Sequence, residues 1–287
     1  MKRLATTALI GLIAISTLSL PACSSEQAPG SAETKTAAPG SLSDQQARRV
    51  STVLLRDARG EQLGSGVVVA EAEGGYWIAT NRHVVADQMV ACVVVGAIIS
   101  PAAVLPAGSS KPQPNEDLAL LWLPSFKKPA LMVADQSAPV EPPEQLPLVV
   151  ATGYPTPLKQ EPDGPNYAED DGLLLPLLKQ PLQGGFVLAY TSVVEKGMSG
   201  GGVFQGRRLI GINGAHSHPL WPGQWKDQSS KPVSLNLNQK LEQLSLGIPL
   251  EMITLRLRGA VIPKDFLPPE RGVCQKPAPK TAGSQRF

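Results

Sequence analysis

Aromatic residues are scarce, at 5% of 287 positions, and histidine and cysteine occur only three times each. A tetrahedral metal centre has little to draw on here. His216 and His218 lie two apart, and no third or fourth ligand follows at a regular spacing. We expect no metal and no cofactor, and read these two histidines as part of a solvated loop. Charge of one sign is also lacking. The 26 basic residues stand against 24 acidic ones, with no basic stripe or aromatic-rich basic patch, so nucleic acid is not an expected partner. A regular alternation of strands and helices is missing as well, which argues against a parallel sheet wound with helices. Proline and glycine are plentiful instead, at 28 and 27, and long helices are disfavoured. With 42% hydrophobic and 17% charged residues, the chain still has the means to bury a core.

The N-terminus reads as an address. Lys2 and Arg3 precede an apolar run over 4–20 that Ser16, Thr17 and Ser19 interrupt. Such a run is too short and too polar to span a membrane well, and it suits the apolar core of a signal peptide. Leu20-Pro21-Ala22-Cys23 resembles the lipobox of bacterial lipoproteins, which implies a leader over 1–22 and lipidation of Cys23. The plainer alternative is an ordinary cut after Ala22. Lipidation implies an exported protein anchored to a membrane and facing the periplasm or the cell exterior. Residues 23–46, built mostly of Ser, Ala, Glu, Thr, Pro and Gly with no apolar period, read as a flexible tether. Cys92 and Cys274 remain. In an oxidising compartment they pair; otherwise Cys92, within the apolar run 91–95, is a buried thiol.

Short apolar runs with strand character follow at 50–55, 66–70, 76–80, 91–99 and 118–123. A proline-rich break over 137–147 separates the halves 47–136 and 148–258, and further runs appear at 148–152, 186–191, 202–204 and 209–212. This is the pattern of an all-β protein of antiparallel barrels or a sandwich. Residues 154–183 read as a long surface loop. One helix is expected after Pro249, because Leu250, Ile253 and Leu257 share a face, and 259–287 reads as a tail.

The chemistry narrows quickly. His83 follows an apolar strand in Thr80-Asn81-Arg82-His83-Val84, and Ser199 lies among glycines in Gly197-Met198-Ser199-Gly200-Gly201. A serine in such a loop can turn sharply and let a carbonyl approach the amides of Gly197 and Ser199. The order Ser, acid, His fails, since no Asp or Glu stands between Ser199 and His218. The order acid, His, Ser would have to use Asp57, which sits in a turn-like Arg-Asp-Ala-Arg-Gly. The order His, acid, Ser is met by His83, Asp117 and Ser199. Asp117 opens an almost wholly apolar run, where a carboxylate needs a partner such as an imidazole N–H; Glu116 and Asp87 are the competing acids.

With these residues in view, Gly64-Ser65-Gly66-Val67-Val68, Thr80-Asn81-Arg82-His83-Val84-Val85, Asp117-Leu118-Ala119-Leu120, Gly197-Met198-Ser199-Gly200-Gly201 and Leu209-Ile210-Gly211-Ile212 resemble the chymotrypsin-like (trypsin-like) serine peptidases of bacterial type. The resemblance spans about 50–257 in the family's order. It implies two six-stranded antiparallel barrels, a short C-terminal helix, and an endopeptidase acting on protein or peptide substrates. Ser199 is then the nucleophile, His83 the base and acid, Asp117 the orienting carboxylate, and the amides of Gly197 and Ser199 the oxyanion donors. Val193, Asn213 and Gly214 fall at substrate-pocket positions, and an apolar Val193 implies small or apolar side chains at the cleavage site rather than Lys or Arg. Met198 stands where digestive trypsins place an aspartate that pairs with a freed N-terminus, so activation by N-terminal cleavage is not expected. A peptidase fold retained only for binding peptides or envelope partners is the alternative.

Overall fold

The computed structural model describes residues 42–72, 74–105, 116–124, 131–137, 146–157, 166–215, 223–262 and 273–274. The expected leader, Cys23, most of the tether, most of the 137–147 break, His216, His218 and most of the tail lie outside them.

A helix, α1 (Asp44–Ser51), comes first. It starts inside the stretch read as tether, and the reason is local. Ser43 accepts from the Gln46 N–H while the Gln46 side chain accepts from the Ser43 N–H, so two backbone donors of the first turn are satisfied at once. Asp44 in the first turn and Arg48 and Arg49 in the last complement the helix dipole. The strand read at 50–55 therefore begins later.

Six strands then close into a barrel: β1 (Thr52–Arg56), β2 (Gln62–Ala72), β3 (Gly75–Asn81), β4 (Val90–Val95), β5 (Ile98–Val104) and β6 (Leu118–Pro124), paired in the order β1-β2-β3-β6-β5-β4. The apolar run read as one strand over 91–99 is a hairpin. Gly96, at φ +57°, reverses the chain between β4 and β5. A second barrel contains β7 (Leu148–Gly153), β8 (Ala168–Leu175), β9 (Leu188–Tyr190), β10 (Gly202–Gln205), β11 (Arg208–Ala215) and β12 (Ser245–Pro249), in the order β10-β11-β12-β9-β8-β7. Every strand pair is antiparallel. The fold is that of two closed six-stranded barrels with a C-terminal helix, α3 (Leu250–Arg258). A further helix, α2 (Leu235–Leu241), capped by Ser234, was not expected.

Burial follows the period of two. On β2, β3 and β6, Val68, Ile78 and Leu121 fill the first barrel, while their neighbours Val67, Ala79 and Leu120 face the other way, into a cluster shared with Phe204, Ile212 and Ile248 of the second barrel. These strands are buried on both faces, which is why they read as unbroken apolar runs. Each fully buried side chain of this size contributes about 1.5–3 kcal/mol. Val149, Ala151, Tyr190, Met198 and Val203 fill the second barrel.

The segment read as a long loop contains β8, with six residue pairs to β7 from Leu148↔Leu173 to Gly153↔Ala168. Its acidic residues hid it. Glu169 is neutralised by Arg48 of α1, whose Nη2 and Nε donate to it at 2.7 and 3.1 Å and whose Nη1 donates to the Gly206 carbonyl at 2.7 Å. Both side chains are nearly buried, so the first helix is tied to the second barrel by a charge-assisted clasp. Cys92 and Cys274 form a disulfide with Cα atoms 5.7 Å apart.

Candidate active site

The β3–β6 ladder ends with Asn81 opposite Leu118, so the next residues on each side meet just beyond it. His83 lies on a single 3-10 turn, Arg82–Val84, that leaves β3, and Asp117 immediately precedes β6. Asp117 holds this turn through every oxygen it has. Its carbonyl accepts from the Arg82 N–H at 3.0 Å and the Asn81 amide at 3.2 Å, Oδ1 accepts from the His83 N–H at 2.9 Å, and Oδ2 lies 2.6 Å from His83 Nδ1. A carboxylate on Nδ1 puts the ring proton there and leaves Nε2 free to accept. The rival acids are occupied elsewhere. Asp57 caps its own turn, with Oδ1 accepting from Arg59 N and Glu61 N. Burial pushes the Glu116 carboxyl up against the opposing charge of Arg256, and Glu116 forms an isolated bridge with Gly184. Asp87 is exposed.

Ser199 lies between β9 and β10, in the second barrel. Its loop is anchored through carbonyls. Lys196 O accepts from Thr156 N at 2.7 Å, Gly197 O from Ser65 Oγ at 2.8 Å, Met198 O from Gly201 N at 3.0 Å and Asn213 Nδ2 at 3.2 Å, and Ser199 O from Ser65 N at 2.9 Å. A trans peptide points its N–H opposite its C=O. The Lys196 anchor therefore turns the Gly197 N–H away from Thr156, and the Met198 anchor turns the Ser199 N–H away from Asn213. Among the described residues neither N–H has an acceptor. Gly197 and Gly200 adopt φ +97° and +83°, which explains the glycines around the serine.

The first and second barrels meet along β1, β2 and β3. A Cβ added to Gly64 would lie 2.9 Å from Val84 Cγ1, next to His83, and 3.2 Å from the Ser199 carbonyl. Ser199 is half-buried and His83 exposed. Among the described residues no hydrogen bond joins the His83 ring to the Ser199 hydroxyl.

A sequence profile of the trypsin-like peptidase domain matches residues 64–212, just over half of the chain. The chain belongs to this family. The matched stretch of the trypsin-like domain runs from Gly64 through His83, Asp117 and Ser199 to Ile212. A search among curated proteins finds no match. Among solved structures, the Rv3671c protease in its inactive form is similar, with 20% identity and a TM-score of 0.48, over 75% of this chain and 91% of that one.

The pocket positions need correction in part. Asn213 is fully buried, and its amide is spent internally. Oδ1 accepts from the Tyr190 hydroxyl at 2.8 Å, and Nδ2 donates to Thr152 O and Met198 O. Burial pushes the Tyr190 phenol up, which keeps it a donor and so fixes which way the amide faces. Asn213 thus braces the serine loop from within the barrel. Gly214 has no room for a side chain, since a Cβ there would meet the Phe186 ring. Val193 is 53% exposed, but its N–H donates to Asp170 Oδ2 at 2.6 Å, so a carboxylate stands beside the residue read as an apolar floor. Ser65, Thr156 and Asp170 were given no role from sequence, and of these only Ser65, set between two glycines, carried a signal. Among the described residues no group of three or more His, Cys, Asp or Glu side chains is placed to hold a metal ion.

Proposed function

We propose that this member of the trypsin-like family is a serine endopeptidase that cleaves protein or peptide substrates. The observation that carries the reading is the hydrogen bond from His83 Nδ1 to Asp117 at 2.6 Å, which leaves Nε2 as the base. Ser199 attacks the peptide carbonyl while His83 takes the hydroxyl proton and then delivers it to the leaving amine. Asp117 stabilises the imidazolium, and the open amides of Gly197 and Ser199 receive the oxyanion. A base and nucleophile are often loosely aligned before substrate binds, so the missing bond between His83 and Ser199 is compatible with these roles.

We also propose that the protein is exported and held to a membrane by lipid on Cys23. The leader pattern supports this, and a disulfide suits an oxidising compartment. Among the described residues no helix is long and apolar enough to cross a membrane.

The test is Ser199→Ala. Peptide cleavage should fall by about 10⁶-fold, with the melting temperature within about 2 °C of the parent. Retained turnover would end the assignment. The open contact between His83 and Ser199 also suits a second reading, a silent peptide-binding module. A fluorophosphonate probe separates the two, since only an activated serine is labelled.

A further inference from the structure

Ser65 belongs to the first barrel, yet three of its four polar contacts reach the second, two of them on the serine loop. The residue is fully buried on β2, and the β2–β3 pairing stops short of it at Val67↔Ala79, which frees its edge. Its N–H donates to Ser199 O at 2.9 Å. Its hydroxyl donates to Gly197 O at 2.8 Å and accepts from Tyr154 N at 2.9 Å, and its carbonyl accepts from Thr80 Oγ1 at 2.7 Å. One hydroxyl therefore clips segment 154–156 to Gly197, and the same segment supplies the Thr156 N–H that fixes Lys196 O. Both peptides flanking Gly197 depend on that clip. Gly197 has no side chain to hold it, and a Cβ there would meet Tyr154 O and Thr156 N. Among the described residues no charged side chain anchors 196–201; the charged anchor of the longer loop is Asp170 Oδ2 on the Val193 N–H, and the thioether of Met198 takes only the Glu195 N–H.

We propose that Ser65 is a positioning residue that presets the Gly197 amide for the oxyanion. This rests on the peptidase reading above. The two barrels are then locked into a competent arrangement by a neutral hydroxyl, with no ionisable group in the lock. Ser65→Ala is expected to lower kcat about 10- to 100-fold while KM stays within about twofold. Affinity for a peptide aldehyde, which must place an oxyanion in the same spot, should fall by the same factor as kcat/KM. Ser65→Cys, which keeps the branching, adds a little volume and weakens the donor, should fall between the two. The pH–rate profile should keep its midpoint, because His83 is untouched. An unchanged kcat, a loss carried by KM, or an unchanged aldehyde affinity would overturn the proposal.

A readout that needs no turnover keeps the two readings separable. In ¹⁵N-labelled protein, Ser65→Ala should shift or broaden the Gly197 amide resonance. If the parent fails to react with fluorophosphonate, the peptidase assignment falls. The Gly197 resonance then decides the positioning role, and a resonance identical to the parent's overturns it.

Discussion

In the first barrel His83 and Asp117 sit just past the end of one strand pair, so the ladder closing at Asn81 and Leu118 has already brought them together. In the second barrel Ser199 sits in a loop whose shape is set by groups outside it: Ser65, Thr156 N and Asn213. Register suffices for a hydrogen-bonded pair at a strand end. A loop that must leave two amides open needs every neighbouring carbonyl held from elsewhere. The difference predicts where each barrel is fragile: the first in its carboxylate, the second in its neutral contacts.

Asp117→Asn attacks the first barrel's arrangement with the largest expected effect. Turnover should drop by about 10⁴-fold in a peptide-cleavage assay, because the amide can favour the wrong imidazole tautomer. Little change would mean that Glu116 or Asp87 orients the ring after all. Arg48→Ala probes the tie between α1 and the second barrel. It strands Glu169 in a nearly closed site, and we expect a loss of about 3–5 kcal/mol in urea unfolding, with kcat per folded molecule unchanged. If kcat falls too, the serine loop depends on the first helix and the barrels are less separable than described. Asp57→Ala is the mildest of the three, at about 1 kcal/mol. Burial alone would push the Asp57 carboxyl up, but two backbone N–H groups and Arg59 outweigh it and hold it below its usual value. A depressed carboxylate adds stability above its unfolded value, and that stability is lost as pH falls through the folded one. The penalty of the substitution should therefore stay constant above pH ~5 and shrink below pH ~4 in melting curves.

The same contrast governs what the sequence disclosed. Strands buried on both faces announced themselves as apolar runs, and His83 and Asp117 could be placed because each stands at the end of one. The order of histidine, acid and serine then singled out Ser199 as the candidate nucleophile. β8 stayed hidden because Glu169 and Asp170 look like loop residues until Arg48 and the Val193 N–H are seen to satisfy them. The Ala91–Ile99 run concealed a turn because one glycine was enough to reverse it. Asn213 was placed in the pocket by its position along the chain, and only the contacts of its amide show it facing inward. Ser65 was quoted within a motif, but a hydroxyl that reaches Gly197, 132 positions away, has no local pattern to give it away.

The Cys92–Cys274 bond spans 182 positions. A chain made from its N-terminus exposes the first of these thiols long before the second arrives. The first barrel can assemble its six strands in that interval, but its covalent fastening waits until Cys274 has emerged. Shortening the chain ahead of position 274 would leave the Cys92 thiol without its partner.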